Sequence, residues 1–229
     1  CHILLLHNGM GPHLEVANML NGQGLSLGTT SQGALKKTAF EAVTYGKKVA
    51  EVLGTQCVAI TLGSNVGDAG QLGKYGATKV VQANGSFEDF DSQVFATVIA
   101  NAAKEMGAEV VIVNHSSSGK SLLGRLAVKL DAGSVAGVNS VPTVDGGFKV
   151  KKNVFAGKAI AEYEIKSAVK VLTISGNSIQ PETGGADAAV TAMDITVPTS
   201  KMTITDVSLQ QGDLAPLPEA ELVVSAGRG

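Results

Sequence analysis

Residues 91–131 read DSQVFATVIANAAKEMGAEVVIVNHSSSGKSLLGRLAVKLD, and this stretch decides the fold. Between Asp91 and Met106, the residues Val94, Phe95, Val98, Ile99, Ala102, Ala103 and Met106 fall on one stripe at helical spacing. Gly107 then supplies a helix stop. The run EVVIV, residues 109–113, has no polar alternation after Glu109, as expected for a strand covered on both faces. From Gly119 to Leu130 the pattern is amphipathic again. Leu122, Leu123, Leu126 and Leu130 share a face, with Lys120, Arg125 and Lys129 mostly elsewhere. Helix, buried strand and helix in succession predict an α/β domain with a largely parallel sheet.

The same alternation extends upstream. Lys36 to Leu53 carries Phe40, Val43, Gly46, Val49 and Leu53 at helical spacing, with lysines on the other side. CVAITLG, ending at Gly63, reads as a buried strand; a short Gly-rich helical piece follows around Asp68 to Tyr75, then ATKVVQA as another strand. Downstream of Asp131, FKVKKNVFAG, KAIAEYEI and AVKVLTI are expected to be shorter strands that lengthen the sheet or form a meander on its edge. Residues 175–200 are rich in Gly, Thr, Ala and Pro with weak periodicity and read as an extended connector. MTITDVSL and AELVVSAGRG are read as two further strands. The chain starts at Cys1 and stops at Gly229 inside a Gly-rich turn, so a fragment of a longer protein is expected.

Composition narrows the function. The chain has 229 residues and a formal charge of −2, with Lys and Arg scattered rather than clustered, which leaves no electrostatic footprint for nucleic acid. No apolar run approaches the roughly 20 residues needed to cross a bilayer, so no membrane insertion is expected. Two cysteines, Cys1 and Cys57, make neither a disulfide framework nor a metal site, and Cys57 reads as a small buried hydrophobe. His2, His7 and His13 have no Cys or acidic companion at metal-ligand spacing, and no metal is assigned.

The segment NHSSSGKS, Asn114 to Ser121, ends in the Gly-Lys-Ser of a phosphate-binding loop and lies between a strand and a helix. The first glycine of that motif is replaced by Asn114, however, and no acid closes the neighbouring strand. A Ser-rich turn ahead of a helix is also what capping requires. Lys120 is therefore read as a helix-surface lysine or an interface contact rather than a phosphate ligand. His115 stands at a strand's carboxyl end without a nucleophile elbow or an orienting acid, and Asp187 and Asp194 read as solvated charges in the connector. No catalytic constellation is found in the sequence.

Three places carry a family likeness. ALKKTAFEAVTYGKKVAEVLG with AITLG resembles the opening helix and second strand of the electron transfer flavoprotein α-subunit. SSSGKSLLGRLAVKLDAGSVAGV resembles that family's small-residue turn and G-[RK]-x-L-x-P-R-x-A-x-x-L helix, with Gly124 where the family commonly has Pro. VKKNVFAGKAIAEYEI, AVKVLTI and AELVVSAGRG are similar to its later strands and to the V-V-[SG]-x-G-R-G entry into an FAD domain. The likeness covers about Gly33 to Gly229. Residues 1–24 are atypical: either HILLLH pairs into the sheet, or the segment is foreign or mistranslated sequence.

The resemblance implies a three-layer, doubly wound, mostly parallel α/β sheet of the adenine nucleotide alpha hydrolase-like (HUP-like) kind, with added edge strands. It implies an N-terminal domain over residues 1–210 and, over 211–229, the first strand of a C-terminal FAD-binding domain. It further implies an electron carrier without catalytic residues of its own, a heterodimer with a β-subunit carrying one FAD. Such a carrier takes electrons from acyl-CoA and related dehydrogenases in fatty acid β-oxidation and passes them to a quinone oxidoreductase, here in a bacterial cytoplasm. Of the FAD site, only Arg228 falls in this chain, and the connector would let the FAD domain swing. The competing readings are an adenine-nucleotide-binding domain like a universal stress protein, with phosphates on the Ser116–Gly119 turn, and a small enzyme using His115.

Overall fold

In a computed structural model, the residues described are 2–7, 35, 37–63, 68–85, 87, 90–203, 205 and 224–227. Nine strands run in chain order as β1 (His2–His7), β2 (Gln56–Leu62), β3 (Lys79–Asn84), β4 (Ala108–Asn114), β5 (Gly133–Val138), β6 (Phe148–Val154), β7 (Ala159–Ile165), β8 (Lys170–Ile174) and β9 (Val190–Asp194). Three α-helices join them: α1 (Lys37–Leu53), α2 (Ser92–Glu105) and α3 (Ser117–Leu130), with a 3-10 helix at Ala69–Tyr75.

Seven strands form one sheet in the order β5-β8-β4-β1-β2-β3-β9, and every pairing in it is parallel. Period-two alternation sends each strand's side chains to both faces. Val58, Ile60, Val81, Val111, Val113 and Val171 meet α2 and α3 on one side. Cys57, Ala59, Val80, Val110, Ile112, Leu172 and Ile174 meet α1, the 3-10 helix and a β-hairpin on the other. These are the three layers the sequence implies. Asp91 caps α2, its side chain accepting from Gln93 N, and Gly107 at φ 61 takes the left-handed turn that ends it.

HILLLH pairs into the sheet. It is β1, the central strand, in parallel register with β2 on one side and β4 on the other. The C-terminal half departs from the sequence reading in three respects. GSVAGV, whose two glycines mask it, is an edge strand, β5. AVKVLTI does not extend the edge: Val171, Leu172, Thr173 and Ile174 are all buried, and β8 is inserted between β4 and β5. Only β6 and β7 leave the main sheet, as an antiparallel hairpin that packs Phe148, Val150 and Ile165 beneath it.

The connector reading of residues 175–200 is corrected as well. The segment is extended but laid tightly across the outside of α1 and the 3-10 helix before it adds β9 to the far edge, beside β3. Asn177 N donates to the Glu41 carboxylate at 3.0 Å and Glu182 N to Thr44 Oγ1 at 3.1 Å. Gly184 N and Gly185 N both donate to Lys74 O, and Ala188 N donates to Gly70 O at 2.8 Å. Backbone hydrogen bonds hold this strap, so no hydrophobic periodicity announces it. Past β9, Ile195 and Val197 pack against the core, and Ser200 Oγ donates to Asp91 Oδ2 at 2.8 Å. MTITDVSL and AELVVSAGRG lie largely outside the described residues.

Candidate functional site

The carboxyl edge of a doubly wound parallel sheet is where such folds hold ligands, and the Gly-Lys-Ser turn and His115 both lie there, at the end of β4. At the end of β4 only His115 and Ser116 separate the strand from α3. Ser116 adopts the extended conformation of an N-cap, and its Oγ accepts the Gly119 N–H at 3.1 Å. Lys120 N donates to Ser116 O at 2.8 Å, and its side chain points to solvent. A Cβ on Gly119 would stand 1.8 Å from Asn114 O, so the helix start is pressed onto the strand end. A phosphate loop must instead be long enough to bow its N–H groups around an anion. In this turn the chain fills that space itself, and the Gly-Lys-Ser likeness is a capped helix start.

His115 is held from two sides. Its backbone N–H donates to Ile174 O at 2.9 Å, and its Nδ1 lies 2.7 Å from Thr173 Oγ1, which is fully buried. The same Oγ1 accepts the Gly137 N–H at 2.9 Å. Thr173 Oγ1 is thus shared between the Gly137 N–H, which it accepts, and His115 Nδ1. Partial burial, then the fields of Lys120 and Lys152, push the imidazole below its ordinary value, so it is neutral at pH 7. Its partner is a hydroxyl that serves as a spacer, and no carboxylate orients it. A neutral, threonine-tethered histidine is a wall element here rather than an acid–base catalyst.

The remaining titratable candidates are structural. Asp187 forms an exposed ion pair with Lys74 at 3.2 Å and Asp194 accepts from Asn84 Nδ2 at 3.4 Å, so both are solvated surface charges, as the sequence suggests. Two carboxylates whose burial the sequence did not mark are Glu41 and Asp91, each 3% exposed. Both serve the strap and its exit: Glu41 takes Asn177 N, and Asp91 takes Ser200 Oγ and Gln93 N. Cys57 is buried, and burial pushes its thiol up to about 12. Among the described residues no group of three or more His, Cys, Asp or Glu could hold a metal ion, and no helix is long and apolar enough to cross a membrane.

The side chains of His2 and His7, together with Cys1, His13 and Arg228, lie outside what is described. The turn that would receive the phosphates of an adenine nucleotide is closed by its own chain.

Residues 24–198 match the electron transfer flavoprotein domain family. The chain is similar to electron transfer flavoprotein subunit alpha of Bacillus subtilis (strain 168), at 26% identity over 210 residues, which is 89% of this chain and 63% of that protein. Protein FixB of Escherichia coli O157:H7 is 32% identical over 185 residues, 79% of this chain and 58% of FixB. Protein FixB of Clostridium saccharobutylicum is 25% identical over 205 residues, 86% and 61% of the two chains. The chain spans between 54% and 63% of the length of the curated relatives that it matches.

Proposed function

Because this chain belongs to the electron transfer flavoprotein family, on the side of its α-subunits and FixB proteins, we propose that it is the platform of a two-subunit FAD electron carrier. In this reading residues 1–210 form the N-terminal domain and residues 211–229 open an FAD-binding domain. The flavin is held chiefly by polypeptide beyond Gly229, with Arg228 directed at the flavin or its pyrophosphate. A guanidinium suits that position because it is a permanent charge with a planar donor fork. The carrier takes electrons from acyl-CoA and related dehydrogenases and passes them to a quinone oxidoreductase, with a β-subunit as its stable partner.

One observation supports the platform role above others. The family match closes at residue 198, and the last tie of the folded body is the Ser200–Asp91 bond, two residues later. Inside that body the polar groups are used for capping and strapping. No reactive pair converges among the described residues, which suits a part that holds redox chemistry without performing it.

The test is coexpression of the full reading frame with a β-subunit. A stable heterodimer with a visible flavin spectrum is expected, and Arg228→Ala should lower flavin retention without dissociating the subunits. Turnover of a substrate by the 229-residue chain, abolished by altering one of its own side chains, would overturn the reading. So would micromolar AMP or ATP binding that is lost in Lys120→Ala.

A further inference from the structure

A cavity of about 370 Å³ opens beside the site just described, one strand further along the carboxyl edge. Gly137 and Asn139 at the end of β5, Asn153 on β6, and the turn Ser175-Gly176-Asn177-Ser178 after β8 line it. No carboxylate and no large apolar side chain is among them. We propose that this cavity binds a small ligand through a phosphate or carboxylate group.

Three independent features point there. The first is backbone irregularity converging on one place. The β5–β8 register slips between Val135 and Val138, and Gly137 at φ 71 turns its N–H away to Thr173 Oγ1. Across the cavity Asn177 is left-handed at φ 56, held there by the buried Glu41 carboxylate on its N–H and by Lys37 Nζ, 3.4 Å from its Oδ1. Left-handed non-glycine residues persist where the surroundings over-determine them, and such positions cluster around ligands.

The second feature is donor supply. Two asparagine amides in addition to Asn177, and the Ser175 hydroxyl, reach the cavity wall, while the Ser178 hydroxyl donates to Ser175 O. His115 Nε2 lies 3.3 Å from the point where a Gly137 Cβ would stand. The glycine thus brings the imidazole edge up to the wall.

The third is charge. Lys120 and Lys152 act on His115 from one side, and Lys37 stands on the other. Glu41 is 3% exposed and already engaged by Asn177 N and by Lys37 at 4.0 Å. A pocket of neutral donors under a cationic rim favours an acceptor-rich anion. Its volume lies at the small end for ligand sites, which fits a compact oxyanion-bearing molecule better than a dinucleotide.

The test is a titration of the 229-residue chain with inorganic phosphate and, separately, with acetate, at constant ionic strength and followed by amide NMR. A saturable shift of the Gly137, Gly176, Asn177 and Ser178 resonances is expected, with phosphate or acetate identified as the preferred group by the lower dissociation constant. Asn153→Leu, at an exposed strand position, should weaken it at least fivefold while Lys129→Ala, at the far end of α3, changes it less than twofold. The proposal is overturned if shifts only track a chloride control, if they centre on Ser116–Gly119, or if Asn153→Leu binds as the parent does. Flavin retention and β-subunit pairing are read separately, so failure here leaves the platform reading intact, and the reverse.

Discussion

Gly73→Ala puts the strap to a quantitative test. Gly73 lies in the 3-10 helix directly beneath residues 186–188, and a Cβ there would stand 2.3 Å from Ala188 N and 2.4 Å from Ala186 O. Both neighbours are backbone, so relief requires the surface strap to lift outward by about 1 Å. That displacement breaks the bonds from Gly184 N and Gly185 N to Lys74 O and from Ala188 N to Gly70 O. At a net value of roughly 1 kcal/mol each, the three amount to about 3 kcal/mol. Alanine returns up to about 1 kcal/mol through its better helical propensity, which leaves a loss of about 2 kcal/mol. With a urea m-value near 2 kcal/mol/M, the unfolding midpoint should fall by about 1 M. Gly124→Ala is the control. It sits on the exposed face of α3 with nothing within 4 Å of the added carbon, and there the propensity gain should stand alone and raise the midpoint. Limited proteolysis should spare residues 182–194 in the parent and cut there in Gly73→Ala. A Gly73→Ala midpoint equal to the parent's, together with early cleavage of the parent inside residues 175–200, would refute the docked strap.

Other predictions concern single side chains. Burial drives the Asp91 carboxyl up, but the Ser200 hydroxyl, the N–H groups of Gln93 and Val94 and the Arg125 field together outweigh it and hold it below its ordinary value. A depressed folded value means that its stabilisation is full above the unfolded carboxylate range and disappears as pH falls through the folded value. Asp91→Asn should therefore flatten the acid limb of a stability–pH curve below about pH 4, and Asp91→Ala should cost about 1–3 kcal/mol in urea unfolding through the lost cap and the lost Ser200 bond. His115 should titrate below the ordinary histidine value in proton NMR, and Lys120→Ala should move it upward. Because its folded value is depressed, the unfolded chain binds more protons there, and stability should decline as pH drops from the ordinary histidine value towards the folded one. Cys57, buried and with its thiol pushed up to about 12, should resist thiol reagents at pH 8 and react only on unfolding; prompt labelling of the folded chain would contradict the core assignment.

What could be read from the residues alone divides along a physical line. Elements held by side-chain burial were legible. Residues 91–131 form the expected helix, strand and helix, because Val94, Phe95, Val98 and Ile99 or Leu122 and Leu126 disappear into the core with helical period. Elements held by the backbone were not. The strap contributes Gly184, Gly185 and Ala188 through their N–H groups, and a pattern of apolar side chains carries no record of that. For the same reason Glu41 and Thr44 resemble the solvent side of α1 but are its covered side, since the strap lies over them. The position of β8 was illegible for another reason: a strand's neighbours depend on which crossover the chain takes, and AVKVLTI encodes only that both of its faces are wet or dry. At the candidate site the Gly-Lys-Ser letters were legible, but their meaning turned on the length of one turn. The lining of the cavity, drawn from three separate segments of small and polar residues, left no local signature.

The docked strap also changes where motion can originate in a carrier of this kind. A loose linker over residues 175–200 would free everything after β8, leaving the β3 edge of the sheet unpaired. In the structure that edge is closed by β9, Ile195 and Val197 are drawn into the core, and Ser200 is bonded to the carboxylate that starts α2. Releasing the chain anywhere before Ser200 therefore requires breaking the β9 ladder or exposing apolar surface. Beyond Ser200, Lys201, Met202 and Thr203 are exposed, and Met202 N is held only by the hydroxyl of Ser200 itself. Among the described residues, 201–203 are therefore the least tied stretch after the strap, next to Ser200 anchored on Asp91. A short pivot against a rigid body narrows the arc that a following domain can sweep, and it ties the origin of that arc to the first turn of α2. Loss of the Asp91 carboxylate should then loosen the exit while leaving β9 paired. That outcome separates a pivot at residue 201 from a hinge spread through the strap.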